Sequence, residues 1–366
     1  MALSTVVQPE RTFWKEDCAA AREALIDWWA GRGLALHVTA PKDQPWADVP
    51  PPDPDVDLET YWVNPRYRAQ RAMAQMARTY YGGSALPIFY NNIGPGSLGM
   101  MLGCGVNYAR DTIWYDACIT DPENHPPLRF SKRNGWYRKH VAVIKEGLKR
   151  SKGRWLVGYP DLIENLDALV QLRGSEETLM DLIERPGWVE AKIAQINQAW
   201  FDCYDALLPL LRDEWGGTAF CAFRLWGPGK TAKLQCDFSC MISPDMFRQF
   251  VVPALTEQCN WLDNSLYHLD GTQAMPHLAS LLEIASLRAI EWTPQAGLPQ
   301  GGDPMWFDVY KRIKSAGKSV QAVEVKLHEV EPLLDAVGPE GMFIMTQAPN
   351  ESEARALLKR VGWRGA

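Results

Sequence analysis

The carboxyl-terminal half of the chain alternates between short apolar runs and longer segments with apolar residues at helical spacing. Apolar runs cover Ala219–Leu225, Leu234–Cys240, Ser265–Leu269, Arg288–Trp292, Val320–Val325 and Met342–Thr346. Helical patterns cover Pro244–Leu262, Met275–Ala285, Trp306–Ala316, Leu327–Val337 and Glu351–Val361. Strands separated by helices of this size predict βαβ units and a parallel sheet. Earlier strands are predicted at Gly33–Val38, Leu86–Asn92 and Trp155–Asp161, and helices over Glu16–Arg32, Asn64–Tyr80 and, broken at Gly174 and Pro186-Gly187, Leu162–Arg212. The stretches Trp46–Asp57 and 110–135 read as loops. Of nine candidate strands, 219–225 and 234–240 are joined through Gly227-Pro228-Gly229, too short for a crossover, and read as a hairpin extension. The remainder predicts an α/β fold, a (β/α)8 TIM barrel. Residues 1–32 form an N-terminal helical extension and 33–366 one barrel domain. A doubly wound open sheet is the alternative, but no dinucleotide glycine fingerprint accompanies it.

Strand ends matter because barrel strands deliver their carboxyl-terminal residues to one mouth. Those ends carry His37, Asn91, Asn92, Tyr159, Asp161, Arg224, Trp226, Asp237, His268, Asp270, Glu291, Trp292, Gln295, Glu324, Thr346 and Gln347. Within Tyr267-His268-Leu269-Asp270-Gly271, His268 and Asp270 are two apart on a strand and share a face. With Glu291 or Glu324 they make a candidate metal site that leaves a position for substrate. Paired carboxylates also suit glycoside hydrolysis, with Trp226, Trp292 and Trp306 stacking on a sugar. Arg224 or Lys230 would clamp a substrate carboxylate. His277 reads as packing or capping, and His140 and His328 as solvated helix positions.

Composition narrows the classes. A net charge of −6 without a basic stripe argues against nucleic acid. No apolar run approaches the ~20 residues that span a bilayer. Met1–Arg11 lacks the order of a signal peptide, so a cytoplasmic protein is expected. The eight cysteines contain no CxxC pair; most read as small core hydrophobes. Gly94-Pro95-Gly96 is a turn, since no lysine follows at phosphate-loop spacing.

Four segments resemble the uroporphyrinogen decarboxylase superfamily, which includes corrinoid-linked methyltransferases and is related to cobalamin-independent methionine synthase. Asp237-Phe238-Ser239 leading to Ile242-Ser243-Pro244-Asp245-Met246-Phe247 and Phe250-Val251-Val252-Pro253 resembles the family's aspartate, Ser-Pro and Phe-x-x-Phe-x-x-Pro run. Tyr267–Gly271 is similar to the His-x-Cys-Gly strand of the methyltransferases. Leu172–Glu176 and Pro186–Val189 resemble the shared central helices, and Asn92–Gly96 with Leu98 and Gly103 the early glycine loop. The likeness spans residues 85–360. It implies a methyltransferase that passes a methyl group to or from a corrinoid protein or small acceptor. His268, Asp270 and Glu291 would hold zinc, and Asp237, His268, Asp270 and Glu324 would be catalytic. Asn92, Tyr159, Arg224, Trp226, Trp292 and Gln295 would line the pocket for a small-molecule substrate, and a homodimer is an assembly compatible with the family. Two departures bear on this. Asp270 stands where the methyltransferases carry their first cysteine, and Thr346 near their second. The decarboxylase's arginine-rich loop has no counterpart, although Asp237 would still serve a metal-free decarboxylase or other lyase acting on a carboxylated ring. A non-catalytic small-molecule or sugar-binding barrel is the reading from another class.

Overall fold

The computed structural model describes residues 13–364; Met1–Arg11 and its expected lack of a targeting signal lie outside the described residues. The fold is mixed α/β around a seven-stranded, mostly parallel sheet. Its order is Thr79–Gly83, Leu34–Pro41, Met342–Gln347, Ser319–Val325, Ala289–Thr293, Asn264–Asp270, Thr231–Gln235. Only the pairing of Leu34–Pro41 with Thr79–Gly83 is antiparallel. The parallel strands are buried on both faces, so they read as near-continuous apolar runs. Smaller pairs adjoin the sheet: Ile88–Phe89 with Leu156–Val157, and Gly217–Phe220 with Leu225–Pro228. Tyr159 bridges them by pairing with Phe220.

Four segments differ from the sequence reading. Thr79 and Tyr80, expected to end the helix Asn64–Tyr80, instead open the strand Thr79–Gly83. That helix stops at Ala77, and the Tyr80, Tyr81 and Gly82 that follow favour a strand edge over a further turn. The run 219–225 breaks at a turn in which Phe223 and Arg224 are both left-handed, with φ 54°. Loop 110–135 contains half of an antiparallel hairpin, Gly105–Tyr108 with Ile113–Asp116. The helix expected over Pro244–Leu262 carries a π turn at Phe247–Val251. Pro253 has no N–H to donate back along the helix, which is where such a turn is tolerated.

The helix Cys18–Trp29 packs at the amino ends of the strands. The Trp28 indole donates to the Val320 carbonyl at 3.1 Å, and its ring meets Phe343 edge-on at 5.0 Å. The Trp29 indole donates to the Trp226 carbonyl at 2.9 Å. Both indole N–H groups are satisfied, the condition for burying tryptophan. No helix among the described residues is long and apolar enough to cross a membrane. None of the eight cysteines forms a disulfide.

Candidate functional site at the ends of strands 231–235, 264–270 and 289–293

Register decides which side chains meet. His268 lies opposite both Gln235 and Glu291, and Glu291 lies opposite Gln321. Partners in register share a face, so four polar residues from four adjacent strands form one inner row. His268 and Asp270 emerge on one face, as their spacing predicts.

After Gln235 the chain leaves the strand and enters a short 3-10 turn at Asp237. Asp237 is therefore a turn residue and not the strand-borne one expected. Asp167 holds the turn, accepting from the amides of Asp237 and Phe238 at 2.8 Å each. The Gln235 side-chain amide donates to Asp167 and to Asp237 Oδ2, again at 2.8 Å. Donor atoms of Asp237, His268 and Asp270 thereby come within 4.8 Å of one another. The Asp237 carboxylate is 3.8 Å from His268 Nε2.

Glu291 is placed differently from the third metal ligand expected. It is fully buried and pairs with His268 Nδ1. Its other oxygen accepts from the Thr293 hydroxyl at 2.7 Å. A carboxylate on one ring nitrogen fixes the tautomer and leaves the other nitrogen to a ligand. Asp237 takes the place assigned to Glu291. The ring of Phe223 covers the imidazole at 4.7 Å.

The charges follow from this packing. Burial works against a charged His268, but Glu291, by charge and hydrogen bond, and then Asp237 outweigh it and raise its pKa. Burial raises the Glu291 carboxyl, partly offset by His268. Asp237 is pushed up to about 6, first by the low-dielectric ground beneath it and then by Asp167. Half of its side chain still meets solvent.

Beneath this group lies a polar floor that strand-end reading missed. Lys233 is fully buried, 2.8 Å from Asp161, and bonded to the Gln235 side chain. Glu164 accepts from the Gln235 amide at 2.6 Å, and its second oxygen has no partner. Burial pushes its carboxyl up to about 8, against the pull of Lys233. Ile163 and Asn165 flank Glu164 at φ 56° and 53°. A β-branched residue in that region costs on the order of 1–3 kcal/mol, strain that proteins tend to hold near functional sites. One signal was available: Lys233 and Gln235 are polar at alternate positions of an otherwise apolar run. Glu164 and Asp167 carried none, being ordinary residues of a predicted helix start.

The remaining predicted residues separate. Asn92 is buried and accepts from the Asp161 amide at 2.8 Å, so it supports the floor. Arg224 donates to the Ile88 carbonyl at 3.2 Å and lies over the Tyr90 ring. Gln295 is exposed, accepting from Thr272 next to the loop that follows Asp270. Glu324 is exposed at a bulge, φ 53°, and makes no hydrogen bond or ion pair with the His268 group among the described residues.

Three expected pocket residues are core. Tyr159 is fully buried, stacked on Tyr204 at 3.9 Å, with its hydroxyl donating to the Tyr204 carbonyl. The Trp226 indole donates to Asp213 at 2.6 Å, well used in packing. Trp292 neighbours Glu291 in sequence, so it takes the opposite face of the strand and packs edge-on against Trp306 at 5.1 Å. A sugar platform built from Trp226, Trp292 and Trp306 is thus not available. Lys230 sits over the Trp261 ring at 3.4 Å. His140, expected in solvent, is buried with Nε2 2.9 Å from the Ser97 hydroxyl. His277 packs as expected, stacked on Phe247 and bonded to the Ser239 carbonyl. His37 is buried, its pKa driven down to about 3 by burial and then by Arg224.

No protein family model matches the chain, and no curated protein does. Among solved structures, a methyltransferase from Methanosarcina mazei matches with a TM-score of 0.59 at 11% identity, covering 95% of this chain and 97% of that one. The two share a fold across nearly their whole lengths.

Proposed function

We propose that the chain is a methyltransferase of the uroporphyrinogen decarboxylase-like superfamily. It is a closed (β/α)8 barrel acting on a small molecule, with a corrinoid protein as methyl donor or acceptor. The observation that carries the reading is the convergence of Asp237, His268 and Asp270, with His268 backed by Glu291. The full-length likeness to a methyltransferase supports it at the level of fold. One nitrogen and two carboxylate donors suit zinc or a harder divalent ion, and Asp237, His268 and Asp270 would hold it. Such an ion would lower the pKa of a bound methyl acceptor. The protein's own groups do the rest. Glu291 and Thr293 keep the imidazole in one orientation, Gln235 and Asp167 keep Asp237 beside it, and Phe223 shields the ring. The acceptor's proton would leave to the solvent that the half-exposed Asp237 side chain still meets.

Metal analysis tests this. Purified protein should carry about one zinc per chain, and His268→Ala and Asp237→Asn should each lose it. Unchanged metal content in both variants would defeat the reading. A second reading rests on the raised pKa of Asp237, which suits a proton donor or cation-stabilising group in a metal-free lyase. Chelator-treated protein that still releases carbon dioxide from a carboxylated ring would favour it.

A further inference from the structure

The hairpin Gly105–Tyr108/Ile113–Asp116 is bracketed by two cysteines with no part in the site above. Its last register pair is Gly105 with Asp116, so Cys104 and Cys118 lie just outside the ladder on opposite strands. Both dock on the end of one helix. The Cys104 thiol approaches the Gln171 carbonyl at 3.2 Å, and the Cys118 amide donates to the next carbonyl, Leu172, at 2.8 Å. The two thiols are close enough to shift each other's ionisation, Cys104 upward and Cys118 downward. A Cβ on Gly103, the residue before Cys104, would lie 3.4 Å from Cys118 Sγ, so the Cys118 thiol reaches the backbone beside Cys104. Cys104 is buried and Cys118 is partly open to solvent.

We propose that Cys104 and Cys118 are an oxidant-reactive dithiol, in which Cys118 is attacked first and Cys104 resolves it to a disulfide across the base of the hairpin. A reactive cysteine needs thiolate character and access, with a resolving thiol in reach. The neighbouring Cys104 thiol pulls the Cys118 thiol down to about 7, and Cys118 is the more accessible of the two. With hydrogen peroxide as oxidant, the Cys118 thiolate attacks one peroxide oxygen. The O–O bond breaks, Cys118 becomes a sulfenic acid, and the released hydroxide takes up the proton that the thiol gave up and leaves as one water. Cys104 sulfur then displaces the sulfenic hydroxyl, which takes the Cys104 proton and leaves as a second water. Two thiols lose two electrons and peroxide gains them.

The test uses reduced full-length protein and about one equivalent of hydrogen peroxide, the balance of that step. Trypsin cuts after Arg110, so the disulfide appears as two peptides joined through Cys104 and Cys118, about two mass units lighter than the free pair. The exposed Cys240, whose thiol is pushed up by burial and by Asp237, serves as internal comparison and should stay reduced at this dose. In Cys104→Ser the linked pair should vanish and a dimedone adduct appear on Cys118. In Cys118→Ser neither should form. Oxidation of Cys240 before Cys118, no linked pair in folded wild-type protein, or a dimedone adduct on Cys104 would each overturn the proposal.

Discussion

Along the inner face of the central sheet, two regions in continuous register differ in character. Gln235, His268, Glu291 and Gln321 follow one another across four strands as a polar row. The same register then continues to Phe343 and Ala35, both fully buried, where Trp28 packs edge-on against Phe343. The first region holds ionisable groups whose pKa values its own packing moves; the second is an apolar plug closed by the amino-terminal helix. One sheet thus separates chemistry from stability by position along its register. A polar row this deep persists because each member makes at least one side-chain hydrogen bond; left wholly unpaired, such groups would cost on the order of 1–3 kcal/mol each.

The largest expected effect lies on the apolar side. Trp28→Ala should lower unfolding stability by about 3–5 kcal/mol, read as a drop in urea midpoint with little change in metal affinity of the folded protein. Comparable loss of both would erase the distinction between regions. On the polar side, Glu291→Gln should weaken metal binding by about 10–100-fold, measured by competition with a chromophoric chelator. A neutral amide leaves the imidazole less basic, and unaltered affinity would show that Glu291 has no hold on Nε2.

The polar region should also be the pH-sensitive one. The Glu164 carboxyl is raised to about 8 in the folded protein from an ordinary 4.5. The folded state then binds the proton more tightly than the unfolded chain. Stability from this group is full below pH 4.5 and lost as pH rises through 8. Glu164→Gln should flatten that decline in melting temperature between pH 5 and 8.5; a decline of the same slope would mean another group governs it. The smallest effect belongs to Glu324→Gln, less than about twofold on metal affinity or turnover, since a lone exposed charge contributes little. A tenfold loss would return Glu324 to the site.

Much of this was legible before any tertiary contact was known. The alternation of 264–270, 289–293, 319–325 and 342–347 with helical segments identified parallel strands, because strands buried on both faces must be apolar throughout. The spacing of His268 and Asp270 placed them on one face, because side chains alternate along a strand. What failed failed for equally local reasons. Trp292 is expected in the pocket as a strand-end residue, yet as the neighbour of the inward Glu291 it takes the opposite face of the strand. Tyr159 looked like a strand-end polar group, but a buried hydroxyl with a carbonyl in reach belongs to packing.

Local pattern by itself determined the elements, their approximate order and which residues share a side of each strand, since these depend on backbone periods of two and 3.6. Only the tertiary structure decided that Asp237 rather than Glu291 stands beside Nε2, and that Asp167, Glu164 and Lys233 lie under the same group. The contacts of Glu164 and Asp167 join residues about 70 positions apart in the chain. They arise from strand register and the path of one strained loop, and neither leaves a periodic trace in the order of amino acids.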